Sequence, residues 1–328
     1  MCAYRIGIDL GGSKIAAGVV GGDNHILGAA RRPTDAARDF GAVADDMAAA
    51  AREAAERAGI PMEDVGFVGV GAPGFVNPAR GLVVYSANLE WHNVELWDAM
   101  RARLGPGPRI AVANDADCAV FGEVLAGAAQ NRESAVLLTL GTGVGGGIVI
   151  GRKIYAGCDG MGAELGHVRL VYGGERCSCG QSGCVEAYCS ARALVRQTAR
   201  AIAQNPESLM AALARDAGKV SGRTAFLAAR QGDAAAQAVV DQYIEYLAAA
   251  ISSVVNIFRS EVILLGGGVS HEGEPLLGPL NRLLPRLVAA SDKIGCPPVL
   301  AAALGNDAGI IGAANLYEAW GAREFSGF

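Results

Sequence analysis

The sequence predicts an α/β protein of two lobes with an internal duplication, and three observations predict it. At 328 residues the chain exceeds one ordinary domain. Strand-like apolar runs alternate with helix-length stretches, the pattern of mixed or parallel sheets covered by helices. A glycine-bent apolar hairpin also opens each half: "YRIGIDL", "GGSK" and "IAAGVVGG" in the first, "AVLLTL", "GTG" and "VGGGIVIG" in the second.

The elements follow in order. After the first hairpin, a third strand is predicted near "HILGAARR", then an Ala-rich helix over Phe40–Ala58. "VGFVGVGAPG" reads as a buried strand entering a loop. A helical stretch near 94–104 leads to "PRIAVAND", an apolar strand ending in polar residues, and a helix is expected over Ala116–Ala128. The second hairpin follows. Helical stretches then occupy roughly 190–257, before a buried strand at "EVILLGGG", a further helix, and a strand, turn and final helix in "PPVLAAALGNDAGIIGAANLYEAW". The predicted boundary lies near 114–118. It gives a smaller lobe of 1–115 to which about 304–328 return, and a larger lobe of 116–303.

Composition narrows the function classes. Hydrophobic residues make up 51% of the chain and 46 residues are glycine, which supports a sizeable core with many turns. Net charge is −5 without a basic run, so nucleic acid is not an expected partner. No signal-like start and no apolar run long enough to span a bilayer is read, which predicts a cytoplasmic protein without a membrane partner. The eight cysteines are too scattered for a disulfide scaffold, yet three of them, at 177, 179 and 184, gather near His167.

"GTGVGG" matches the dinucleotide pattern G-x-G-x-x-G, but that fingerprint needs a helix directly after the glycines. Here "GGGIVIGRKI" continues as a strand. A strand-turn-strand bend binds phosphate differently, through backbone N–H groups and neighbouring hydroxyls. Two such bends could hold one triphosphate: Asp9 for Mg²⁺ through water, Gly11 and Gly12 for close approach, Ser13 and Lys14 for polar contacts, with Thr142 and Gly143 as their counterparts. Each bend alone is equally well a hairpin turn without a ligand. The strand end "LLGGGVS" could let an adenine and ribose lie against Gly267 and Gly268, or could simply stop a strand.

In "AVANDAD", Asp115 at a strand end can accept the proton of an attacking hydroxyl while Asn114 fixes the substrate. The residues alone favour a helix cap there, and Asp117 would serve as well. "GAELGHVRL" and "CSCGQSGCVEAY" supply Glu164, His167, Cys177, Cys179, Cys184 and Glu186. One imidazole and three thiolates suit a closed structural Zn²⁺ site, a knuckle spanning 166–186, although a single residue between Cys177 and Cys179 departs from the commonest spacing. A zinc-bound His167 would keep its other ring nitrogen as a fixed donor toward a polyol, with Glu164 and Glu186 as acceptors. Paired carboxylates also serve glycoside hydrolysis, a reading the phosphate loops oppose.

"GIDLGGSK", "GAPGFV", "NDAD", "LGTGVGGG", "ELGH", "CSCGQSGCVE" and "LLGGG", in this order, resemble the ROK family (repressor, open reading frame, kinase) of the sugar kinase, Hsp70 and actin superfamily. The resemblance covers essentially the whole chain. It implies an actin-like, ribonuclease H-like ATPase fold with an interlobe cleft, and an ATP-dependent sugar kinase inclined to form homodimers. It carries over Asp115 as general base and Asn88 of "SANLEW", Asn114, Glu164, His167 and Glu186 as sugar contacts. It likewise carries over His167, Cys177, Cys179 and Cys184 as zinc ligands, and Asp9, Gly11, Gly12, Thr142 and Gly143 as holding phosphates and Mg²⁺. Ser13 stands where threonine is usual, and Asp117 where asparagine is commoner. Neither change removes kinase chemistry.

Family members include several hexose and N-acetylhexosamine kinases and repressors. A repressor's N-terminal helix-turn-helix has no room before residue 9, and a non-catalytic sensor would be expected to lack the base or a loop. "ANLEW", "GERCSCGQSGCVEAYCS" and "ALGNDAGIIGAA" resemble bacterial members acting on glucose. The expected reaction is transfer of the ATP γ-phosphoryl to the glucose 6-hydroxyl, with N-acetylmannosamine, N-acetylglucosamine, fructose or allose as the alternative acceptors.

Overall fold

A computed structural model describes residues 4–319. The strands are β1 (Tyr4–Leu10), β2 (Lys14–Val20), β3 (Ile26–Pro33), β4 (Val65–Ala72), β5 (Phe75–Asn77), β6 (Leu82–Ser86), β7 (Trp91–Glu95), β8 (Arg109–Asn114), β9 (Ala135–Leu140), β10 (Val144–Ile150), β11 (Lys153–Ile154), β12 (Val262–Gly266) and β13 (Val299–Ala301). The helices are α1 (Phe40–Ala58), α2 (Leu96–Leu104), α3 (Asp115–Ala126), α4 (Glu186–Cys189), α5 (Ala191–Gln204), α6 (Leu209–Asp216), α7 (Thr224–Ala229), α8 (Ala234–Phe258), α9 (Glu274–Leu283), α10 (Ser291–Ile294), α11 (Asp307–Ala314) and α12 (Leu316–Ala319).

Two five-stranded sheets have matching orders, β3-β2-β1-β4-β8 and β11-β10-β9-β12-β13. In the first, β1, β2 and β3 are antiparallel neighbours while β4 and β8 run parallel to β1. In the second, β10 and β11 are antiparallel and β12 and β13 parallel. The strand-for-strand correspondence is the duplication that the two glycine-bent hairpins foretell.

The chain divides into two compact units. One comprises the residues up to Val136, Gly147–Ala163 and those from Ala303 onward; the other comprises Leu137–Gly146 and Glu164–Ala302. The first thus includes α3 and most of β10, which the sequence reading places beyond a boundary near 114–118.

In the first unit, α1 begins at Asp39, whose carboxylate accepts the Gly41 N–H, and stops at Gly59 in the left-handed region at φ 67°. Its buried face, including Val43, Met47, Ala51 and Ala54, closes a core with Ile6, Ile8, Val68 and Val70. On that sheet's β1 and β4, a methyl group at Gly7 would lie 1.8 Å from the Ile310 carbonyl oxygen, and one at Gly69 would lie 1.8 Å from that of Ala313. These glycines are therefore what lets α11 lie directly on the strands.

Glu123 ties α3 to the segment entering α11. Fully buried, its Oε2 accepts the N–H groups of Ala128 and Ala303 at 2.7 and 3.0 Å, and its Oε1 accepts that of Leu304 at 2.8 Å. An amide at this position turns its NH₂ toward at least one N–H in either orientation. Glu123→Gln should therefore cost about 3 kcal/mol of stability, read by urea unfolding; a loss within about 0.5 kcal/mol would show that the three bonds do not hold the segment.

Several elements differ from the sequence expectation. The small sheet β5-β6-β7 is not read from the sequence. Its strands are short and punctuated by glycine and proline, and β7 occupies the start of the stretch read as helix from 94. α3 starts at Asp115 and ends before Gly127 rather than spanning 116–128. The end of the predicted last helix, from Trp320, lies outside the described residues, as does Cys2. Among the described residues α8 is long and apolar enough to cross a membrane by length and composition, contrary to the sequence reading. However, its Val240, Tyr243, Leu247, Ile251 and Val255 are buried within protein.

Candidate functional site

In the first unit, β1 carries Asp9 at its end, and the chain turns back through Gly11–Ser13 into β2. The bend is closed by the Gly11 N–H donating to the Lys14 carbonyl at 2.9 Å. Thr34, fully buried, holds it from behind: its Oγ1 donates to the Gly11 carbonyl at 2.6 Å and its N–H to that of Ser13 at 3.2 Å. Gly12 and Ser13 are exposed at the tip. A methyl at Gly12 would be 3.5 Å from the Cβ of Asn88, an exposed residue in the β6–β7 turn anchored by buried Leu89 and Trp91. Lys14 Nζ donates to Asn306 Oδ1 at 2.8 Å.

Asn114 ends β8 and caps α3: its Oδ1 accepts the N–H groups of Ala116 and Asp117 at 2.7 and 3.3 Å. The cap reading is thus met. Nδ2 donates to the Gly74 carbonyl at 3.0 Å, leaving its second hydrogen for another acceptor. Asp115, next in the chain, is half-buried and accepts the Ala116 N–H at 2.9 Å. Burial pushes its carboxyl above the usual range, against the pull of that N–H. Asp9 is raised to about 7, first by burial and then by the charge of Asp115, with Lys14 opposing. Two neighbouring carboxyls so raised favour a proton or a cation beside them. Gly309 of α11, which the sequence reading does not single out, sits over Asp9: a methyl there would be 2.9 Å from the Asp9 Cγ.

In the second unit the bend between β9 and β10 repeats the first, with the Gly141 N–H donating to the Gly143 carbonyl at 3.0 Å and Thr142 exposed. A methyl at Gly143 would lie 2.3 Å from Glu186 Oε2, which accepts the Val144 N–H at 3.1 Å. Gly267, at φ 79°, passes so near Leu140 that a methyl would be 2.6 Å from its carbonyl oxygen, so backbone packing accounts for this glycine. Gly268 faces open space.

Glu164 precedes a 3₁₀ turn, Leu165–His167, that His167 ends, and Ala163 before it lies in the left-handed region at φ 63°. Such a residue is costly where a glycine would be free, and such strain concentrates at functional sites. His167 Nδ1 faces Cys177 Sγ at 3.8 Å, and Nε2 faces Glu164 Oε2 at 3.9 Å. The Cys179 and Cys184 sulfurs are 3.7 Å apart, and the ligand atoms of His167, Cys177, Cys179 and Cys184 all lie within 4.8 Å of one another. Tetrahedral zinc, with bonds of about 2.3 Å to sulfur and about 2.05 Å to nitrogen, separates two sulfurs by about 3.8 Å and sulfur from nitrogen by about 3.6 Å. The donor set fits that ion in type and spacing. Arg169 donates to the Cys184 sulfur at 2.9 Å. The other described cysteines, at 118, 158, 189 and 296, are free and stand apart from the cluster.

Glu186, the first residue of α4, completes the arrangement. Its Oε1 accepts the Ser178 hydroxyl at 2.5 Å and the Cys177 thiol at 3.4 Å. The sequence reading misses Ser178, Thr34 and Gly309. Only the position of Ser178 between two predicted ligands could have flagged it.

The family model described as "ROK family" matches residues 5–319. A glucokinase of Streptomyces coelicolor is 38% identical over 317 residues, covering 95% of this chain and 96% of the relative. One of Thermotoga maritima is 38% identical over 312 residues, with the same coverage. Among solved structures, a ROK family glucokinase from Streptomyces griseus in complex with glucose and AMPPNP is similar at a TM-score of 0.81 and 37% identity, covering 95% of this chain and 98% of that one.

Proposed function

The chain belongs to the ROK family, and from that membership we propose that it is an ATP-dependent hexose kinase transferring the γ-phosphoryl group to the 6-hydroxyl of glucose. The observation that carries this reading is the near full-length likeness to glucokinases, one of them solved with glucose and an ATP analogue.

In this reading Asp115 accepts the hydroxyl proton as the oxygen attacks phosphorus. Its raised affinity for a proton, caused by burial, suits the task. Asn114 offers the sugar its second amide hydrogen, and Asn88, Glu164 and Glu186 are the further sugar contacts. His167 turns Nδ1 to the thiols, which supports Nε2 as a fixed donor directed at the sugar beside Glu164. Gly11, Gly12, Ser13 and Lys14 in one bend, and Thr142 and Gly143 in the other, receive the phosphates. Asp9 holds Mg²⁺ through water, and the nucleoside rests by Gly267 and Gly268, where Gly268 leaves space. Zinc held by His167, Cys177, Cys179 and Cys184 is structural, since four protein donors leave no open position. A homodimer and cytoplasmic residence complete the proposal. The family resemblance supports the first, and the free thiols suit a reducing compartment.

A coupled ADP-release assay with MgATP across glucose, N-acetylmannosamine, N-acetylglucosamine, fructose and allose tests the reading. Glucose should give the highest kcat/KM. A higher value for another of these sugars would keep the kinase and replace its substrate, and no turnover with any would remove both.

A further inference from the structure

Glu186 is held from two directions. Oε2 takes the Val144 N–H and fills the space a side chain at Gly143 would need. Oε1 takes the Ser178 hydroxyl at 2.5 Å and the Cys177 thiol at 3.4 Å. Of the two donors on Oε1, the Ser178 hydroxyl is the nearer, and it is the one that is not itself a candidate metal ligand.

Ser178 also stands between Cys177 and Cys179, so ligation fixes its backbone on both sides. Gly166 brings the Glu164–His167 turn against the same strand, since a methyl there would be 2.0 Å from the Val144 carbonyl oxygen. From this geometry we infer that Ser178 is a positioning residue: it transmits the setting of the metal knuckle through Glu186 to the Gly141–Val144 bend. The inference rests on the kinase reading for the purpose of the bend, while the linkage itself is a property of the folded chain. Its consequence is that the metal steadies the phosphate-side loop as well as the sugar contacts, with the Ser178 hydroxyl as one link beside the Gly166 contact.

The test compares zinc-loaded wild type with Ser178→Ala and Ser178→Thr. Ser178→Ala removes a charge-assisted hydrogen bond and leaves every ligand in place. It should keep the wild-type zinc content while amide exchange across residues 141–145 quickens roughly three- to tenfold and the KM for glucose rises by a similar factor. Ser178→Thr retains the hydroxyl and should restore both. Unchanged exchange across 141–145 in Ser178→Ala would overturn the proposal. Loss of zinc from that variant would overturn it as well, making Ser178 a support of the knuckle rather than a link from it. Exchange and zinc content need no turnover, so a wild type inactive on every sugar would defeat the kinase reading while these two measurements still decide the linkage.

Discussion

Asp115→Asn should turn over glucose at least about a hundredfold more slowly than wild type, bind the sugar nearly as before, and, without ligands, melt at a higher temperature near neutral pH. The first effect follows from chemistry alone. Asparagine keeps the shape of the side chain and an oxygen for the Ala116 N–H, now at 2.9 Å from Asp115, but cannot take the hydroxyl proton. The second follows from burial, which holds the Asp115 carboxyl above its usual range. A carboxyl whose folded pKa lies above its unfolded value favours the folded state while protonated, and that contribution disappears as pH rises through the folded value. Above that folded value the wild type therefore carries a charge that the fold disfavours. Asp9, raised to about 7 by burial and then by Asp115, bears the same burden, and loss of the Asp115 charge relieves it in part. The gap in melting temperature should be wide at about pH 7.5 and close toward about pH 3, below the unfolded pKa of about 3.9, where aspartate is mostly protonated in both states. Calorimetry of the ligand-free proteins at both pH values, beside ADP-release kinetics, reads both effects. Equal melting temperatures at the higher pH would discard the electrostatic account, and an unchanged kcat would discard the base.

The same balance explains which features the sequence discloses. α1 is legible because its start at Asp39, its stop at Gly59 and its apolar face are all local signals. The hairpin duplication is legible because glycine bends recur in the same setting, and the matching strand orders bear it out. The knuckle is legible because its three thiols lie within eight positions of chain. What stays hidden depends on contacts between distant segments. Glu123 reaches Leu304 across 181 positions, and Glu186 reaches Val144 across 42. No local pattern marks Gly7 or Gly69 as the places where α11 touches the sheet. The short strands β5–β7 were lost for another reason: three to five residues between turn formers carry too little periodicity to separate strand from loop.

Cys179→Ala tests whether the knuckle binds zinc and whether that ion holds the proposed sugar contacts. The wild type should purify with about one zinc per chain, and the variant with almost none, because three donors cannot close the tetrahedron. Loss of the ion frees His167, whose Nδ1 lies 3.8 Å from Cys177 Sγ, and leaves its Nε2 without a fixed tautomer toward Glu164. The KM for glucose should therefore rise on the order of tenfold to a hundredfold, while kcat at saturating sugar falls less, since Asp115 and Asn114, the cap of α3, belong to the other unit. Loading should also depend on pH. Burial pushes the Cys177 thiol up to about 12 in the absence of metal, so the ion must displace a proton there, and its affinity should strengthen as pH rises. Zinc analysis by plasma emission, competition with a chelator at about pH 6 and pH 8, and glucose kinetics distinguish the outcomes. A wild type that is free of metal yet fully active would show that the cluster's spacing is a matter of packing. A Cys179→Ala protein that loses zinc without a change in KM would separate the knuckle from the sugar, and would leave Glu164 and Glu186 to position the acceptor without an anchored imidazole.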